Sequence, residues 1–198
     1  MPEEKNSFES FKRAFDAGHG LETDVRDYAG DLVIAHDPAT ASAQRMEALF
    51  ELYSKSNHQL PLALNIKADG LSGRLKSLLQ RHDIKNYFCF DMSVPETLNY
   101  RRAGLRFFTR ESEYEPAPVL YSEAAGVWMD MFQSDWITPA AVAMHLEAGK
   151  QVALVSPELH KREHLPFWIS LRDSPVAKNP QLFLCTDFPD AAREFFHD

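Results

Sequence analysis

The sequence predicts an α/β chain of the TIM-type (β/α)8 barrel class, incomplete by its first strand. Three observations lead there. Short apolar, strand-like runs alternate with amphipathic segments along the whole chain, which implies a parallel sheet. Seven such βα units follow an opening helix, which suits an eight-fold barrel lacking one strand. The competing open, doubly wound sheet usually carries a glycine-rich phosphate loop, and no G-x-G-x-x-G occurs here. At 198 residues the chain is also at the short end for a full barrel, and it reads as a single domain over 1–198.

Each element has its own signal. Phe8, Phe11, Ala14 and Phe15 recur at helical spacing and are broken by Gly18 and Gly20. The first strand covers Leu21 to Val25. A turn, Asp27-Tyr28-Ala29-Gly30-Asp31, leads to a hairpin partner from Leu32 to Ala35. Met46 to Tyr53 is read as helix, Leu62 to Ile66 as strand, Leu75 to Leu79 as part of a helix, and Tyr87 to Phe90 as strand. Pro95 then sits in the first turn of the next helix. In the second half, strands are expected at Leu105 to Phe108, Val127 to Met129, Val152 to Val155 and Leu182 to Cys185. Pro139 opens a helix stopped by Gly149, Lys161 to Leu171 reads as a helix kinked at Pro166, and Pro189 opens the last helix.

Bulk properties narrow the function. The 44% hydrophobic content supports a substantial core, and a formal net charge of −8 argues against nucleic acid as a partner. A phosphate-bearing ligand would therefore need a metal or local cations in its site. Cys89 and Cys185 lie in apolar runs and read as buried free thiols. The Met1-Pro2-Glu3-Glu4 start has no apolar signal region, and no run reaches membrane-spanning length, so a cytoplasmic location is the expectation.

The chemistry concentrates in the first hairpin. Glu22 and Asp24 are two apart on a strand and so share a face. Two converging carboxylates need a cation, a proton or a buried donor, and a hard divalent ion such as Mg²⁺ or Ca²⁺ prefers their oxygens. An isolated Glu-x-Asp is more often a solvated edge, and a lone His36 after a strand more often structural. Polar residues at the carboxyl ends of the other strands favour the site reading, because a barrel places its chemistry there. They are Lys67, Asp91, Thr109, Arg110, Asp130, Ser156, Thr186 and Asp187. His19 lies between glycines at the opposite end. His58, His82, His145, His160, His164 and His197 read as surface residues, with His160 and His164 as a helical i, i+4 pair.

Three anchors resemble the glycerophosphodiester phosphodiesterase family. The first is Asn6-Ser7, Ser10-Phe11, Ala14-Phe15, Ala17-Gly18, Glu22-Thr23-Asp24-Val25 and His36-Asp37. The second is Leu64-Asn65-Ile66-Lys67, similar to a Glu-Ile-Lys strand. The third is Cys185-Thr186-Asp187-Phe188-Pro189-Asp190, similar to a closing Thr-Asp-x-Pro motif. The resemblance implies a barrel like that of phosphatidylinositol-specific phospholipase C and a small-molecule phosphodiester substrate. It also implies a divalent metal held by Glu22, Asp24 and Asn65, His36 in acid/base work, and Lys67 facing the phosphate. The chain departs from the family twice. Asn65 stands where a glutamate ligand is usual, so Asp91 or Asp130 could be recruited in its place. The family's first strand, ending in His-Arg-Gly, has no counterpart from Met1 on, so this form is expected to be impaired, or to be a non-catalytic phosphate-ligand-binding or scaffold protein. An unclosed barrel would also expose sheet edges that a second copy of the chain could cover.

Overall fold

The computed structural model describes residues 6–56 and 59–197. The chain forms two compact units, Met1–Phe107 and Phe108–Asp198.

In the first unit, α1 (Phe8–Asp16) is capped by the Ser7 hydroxyl, which accepts from the Ser10 amide, and it buries Phe11 and Phe15. β1 (Leu21–Tyr28) and β2 (Asp31–Ile34) pair antiparallel from Val25↔Ile34 to Tyr28↔Asp31. Ala29 and Gly30 both take positive φ, 50° and 92°, as a two-residue type I′ hairpin turn requires. The hairpin is thus longer and its turn tighter than the sequence suggests. A two-residue strand, β3 (Gln44–Arg45), extends the sheet beside β2. Then follow α2 (Met46–Ser54), β4 (Leu62–Ile66), α3 (Ser72–Arg81), β5 (Tyr87–Phe90) and α4 (Val94–Ala103). β4 lies parallel between β1 and β5, giving the order β3-β2-β1-β4-β5. At the entry to β1 a Cβ on Gly20 would lie 2.7 Å from both the Pro61 ring and its carbonyl oxygen, so only glycine fits there.

The second unit is a parallel sheet in simple order: β6 (Phe108–Glu111), β7 (Gly126–Met129), β8 (Gln151–Val155) and β9 (Leu182–Cys185). Its helices are α5 (Pro139–Glu147), α6 (Leu165–Arg172) and α7 (Pro189–His197). Alternate residues Val127, Met129, Val152 and Leu154 share a core with Val142, Phe167, Trp168, Leu171 and Ala192 from those helices. Cys89 is buried and Cys185 only partly so, and neither is in a disulfide. No helix among the described residues is long and apolar enough to cross a membrane.

Three expectations need correction. The strand read at Leu105 to Phe108 begins at Phe108, because the ladder to β7 continues through Thr109, Arg110 and Glu111, polar residues that hide its end. The helix read from Lys161 starts at Leu165, with Pro166 in its first turn, where a missing N–H costs nothing. It is preceded by a 3-10 turn, Pro157–His160, closed by Lys161 at φ 60°. His160 and His164 therefore do not share a helix. His145 is not a surface residue: it is 2% exposed, inside the second unit. His58 lies outside the described residues.

Candidate functional site

In the first unit the parallel register sets Asp24 beside Asn65 and Glu22 beside Ala63, so Glu22, Asp24 and Asn65 share one face. Thr23, Leu64 and Cys89 occupy the other. Lys67 follows β4 and has its amide bonded to the Val25 carbonyl at 2.9 Å, which fixes its backbone beside β1. Its ammonium lies 3.6 Å from Asp24 Oδ1 and 3.9 Å from Asp91 Oδ2. Asp91 follows β5 with a left-handed φ of 67°, a conformation aspartate tolerates better than most residues. Five side chains that the sequence places near strand ends are thus brought together.

The group is short of positive charge. Burial, and then the neighbouring Asp24 carboxylate, push the Glu22 carboxyl up from 4.5 to about 7, against a hydrogen bond from Asn65 and the charge of Lys67. Asp24 is held by a residue that sequence reasoning left without a role. Asn6 Nδ2 donates to Asp24 Oδ2 at 3.1 Å, and Asn6 Oδ1 accepts from the Thr23 hydroxyl at 2.9 Å. A contact seventeen or eighteen residues away in sequence leaves no periodic signal.

Among the described residues, no group of three or more His, Cys, Asp and Glu side chains could hold a metal ion. The candidate donors are two carboxylates, Glu22 and Asp24, with the Asn65 amide as a third oxygen. Asn65 Oδ1 is buried and finds no hydrogen-bond donor among the described residues. A buried acceptor without a partner is costly, and a hard cation would satisfy it. The oxygen chemistry of the set fits Mg²⁺ or Ca²⁺.

His36 is at the surface. Its side chain is 70% exposed, with Nδ1 3.0 Å from Asp37 Oδ1, and its carbonyl accepts from Arg26 Nε at 3.1 Å. Among the described residues no hydrogen bond or ion pair ties it to Glu22, Asp24 or Lys67.

The second unit has a polar group of its own at the carboxyl ends of its strands. Asp130, just past β7, has Oδ1 2.6 Å from His160 Nε2. The Glu158 carboxylate accepts from the hydroxyls of Ser156 and Thr186 and, at 3.1 Å, from the Asp187 amide, tying the end of β8 to that of β9. On the helix side His145 bridges Glu111 at 2.6 Å and the Tyr121 hydroxyl at 2.9 Å. Thr109, read as a site residue, spends its hydroxyl on the Val119 carbonyl, and Arg110 pairs with Glu115.

Comparison of folds gives a clear likeness. A glycerophosphodiester phosphodiesterase from Agrobacterium tumefaciens superposes with a TM-score of 0.69 at 15% identity, covering 98% of this chain and 93% of that one. A second such enzyme, from Thermotoga maritima, aligns over 94% of this chain and 81% of its own at a TM-score of 0.46, also with 15% identity. No protein-family model and no curated protein sequence matches the chain. The first likeness shows the fold: parallel β/α units of the TIM-barrel class, with no closed ring of strands among the described residues.

Proposed function

We propose that the chain is a metal-dependent phosphodiester hydrolase of the glycerophosphodiester phosphodiesterase type, acting on a small-molecule phosphodiester. The observation that carries this reading is the convergence of Glu22, Asp24, Asn65, Lys67 and Asp91 in the first unit, on a fold shared with such an enzyme. Glu22, Asp24 and the unpartnered Asn65 oxygen would hold a Mg²⁺ or Ca²⁺ ion. When bound, the ion supplies charge to the phosphoryl oxygens.

The chain's own residues do the rest. Lys67 carries a second positive charge for the phosphate, and Asp24 and Asp91 hold its ammonium in place. Asn6 keeps Asp24 oriented. His36, with Nδ1 engaged by Asp37, would move a proton at Nε2.

Calorimetric titration with Mg²⁺ or Ca²⁺ tests the reading, with hydrolysis of glycerophosphodiesters and bis(p-nitrophenyl) phosphate followed in parallel. Heat of binding and turnover should both vanish in the Glu22→Gln/Asp24→Asn double variant. A wild type that shows neither heat nor turnover overturns the proposal.

The exposure of His36 favours a second reading, a non-catalytic phosphate-ligand-binding protein on the same fold. That reading expects saturable binding of a glycerophosphodiester, lost in Lys67→Met, with no product formed.

A further inference from the structure

The first unit has a polar cavity on the face of its sheet that the Glu22–Lys67 group does not use. Leu32 pairs with Asp27 across the hairpin, and Asp27 alternates with Val25 and Thr23 along β1. Leu32 and Asp27 therefore face away from Glu22 and Asp24. On α3, Arg74, Ser77, Leu78 and Arg81 fall at i, i+3, i+4 and i+7 and share one helix face. Between that face and the hairpin lies a cavity of about 300 Å³. Buried Leu32 and Leu78 give it an apolar floor. Arg74, Arg81 and Ser77 line it from α3, and Arg45 lines it from β3. Three guanidiniums thus line one cavity although the chain's formal net charge is −8.

Each guanidinium is oriented by a contact on one side. Arg74 Nη1 donates to the Gly30 carbonyl at 2.7 Å, and its Nη2 lies 3.6 Å from Asp27 Oδ2. Arg45 Nη2 lies 3.0 Å from Asp31 Oδ2, and Arg81 Nη1 donates to Glu47 Oε1 at 2.5 Å. These contacts leave every guanidinium further N–H donors. The ion pairs are largely exposed, and pairs of that kind contribute little to stability. Their effect is to hold the guanidiniums in place beside the cavity.

We propose that this cavity is a second, non-catalytic binding site for a small organic phosphomonoester. Guanidinium forks match the oxygens of a phosphate and give it charge-assisted hydrogen bonds. Arg74 and Arg81 supply them from two successive turns of α3, and Arg45 supplies them from β3. The apolar floor of Leu32 and Leu78 suits the carbon skeleton of the ester, and the volume is at the lower end for a small-molecule site. The Ser77 hydroxyl spends its proton on the Gly73 carbonyl at 3.0 Å, so its oxygen is left to accept from a ligand hydroxyl. Asp31 and Glu47 also line the cavity, and they repel further negative charge. A single phosphate is thereby favoured over a polyphosphate. The site lies within the first unit and needs neither a metal ion nor the hydrolysis proposed above.

The test is calorimetric titration of the full chain with glycerol 3-phosphate, inorganic phosphate and tripolyphosphate, all in chelator. Glycerol 3-phosphate should bind saturably with a Kd at or below roughly 1 mM, and more tightly than either of the other two. Lys67→Met, which removes the cation of the Glu22–Lys67 group, should leave this binding unchanged. Arg74→Gln and Arg81→Gln, shown to fold by circular dichroism, should each weaken it at least roughly tenfold. A wild type that takes up no glycerol 3-phosphate overturns the proposal. Binding that is lost in Lys67→Met and intact in both arginine variants places the anion at the other group and also overturns it. A second readout uses the wild type alone: glycerol 3-phosphate should slow phenylglyoxal modification of Arg45, Arg74 and Arg81, mapped by peptide mass, and leave exposed Arg102 unprotected. Equal modification with and without the ester overturns the proposal however the variants behave. A chain that turns over no diester and still binds the ester through these arginines counts against the phosphodiesterase reading and for this site.

Discussion

Replacing Glu22 by glutamine should make the protein more stable at neutral pH, the reverse of the usual result of altering a partly buried polar residue. In the folded chain the Glu22 carboxyl titrates near 7 rather than 4.5, because burial and Asp24 oppose its charge. The folded state therefore binds more protons than the unfolded state between those values. Stability falls as pH rises through that window, and the full cost is present above about pH 7. At 1.36 kcal/mol per pKa unit the ceiling is about 3 kcal/mol, reduced by whatever solvent screening reaches this partly exposed side chain. Glutamine has no charge to bury. It should match the wild type near pH 4 and exceed it at pH 8 by up to about 3 kcal/mol, or roughly 6–12 °C in melting temperature for a chain of this size. Calorimetric melts from pH 4 to 8, in chelator, measure this directly. Millimolar Mg²⁺ or Ca²⁺ should erase the wild-type penalty and leave the variant unmoved, because the cation stabilises the ionised carboxylate. A wild-type–variant difference that stays flat with pH, or a variant less stable at pH 8, would refute the account of Glu22 as a carboxyl short of a cation.

Other consequences follow from individual contacts. Asn65→Asp adds a third carboxylate where the unpartnered amide oxygen lies, and should tighten divalent-cation binding in calorimetry while steepening the pH dependence of stability. His145→Ala strips a buried Glu111 of its partner and should cost about 3–5 kcal/mol in denaturant melts of the second unit. Gly126→Ala would set a Cβ 2.5 Å from the Gln151 carbonyl oxygen and from the Phe108 ring, and should destabilise by at least about 1–3 kcal/mol, read from the same melts. Burial works to raise the Glu113 carboxyl, but the amides of Gln133, Ser134 and Phe132 prevail and hold it at about 2. Its folded value lies below its unfolded one, so its contribution should be lost as pH falls from about 4.5 toward 2, and Glu113→Gln should flatten acid melts over that range.

The order and kind of the elements could be read from the sequence because they rest on local rules. Apolar runs such as Leu62 to Ile66 and Tyr87 to Phe90 have strand length, and prolines at 95, 139 and 189 fall in helix first turns. The pairing of Glu22 with Asp24 was equally legible, since the two-residue period of a strand puts both on one face. Where local rules pointed two ways, the wider structure decided. Pro166 could kink a long helix or begin a short one, and the 3-10 turn at Pro157–His160 makes it a beginning. Tertiary structure alone decided which polar residues meet. It buries His145 against Glu111, joins His160 to Asp130 across thirty residues, and uses Asn6 to hold Asp24. It also leaves His36 exposed although its sequence context is the most suggestive of any histidine here. Periodicity fixes which way a side chain leaves its own strand or helix. Its partner is set by register and packing between segments far apart in the chain, and a single sequence carries no periodic trace of those contacts.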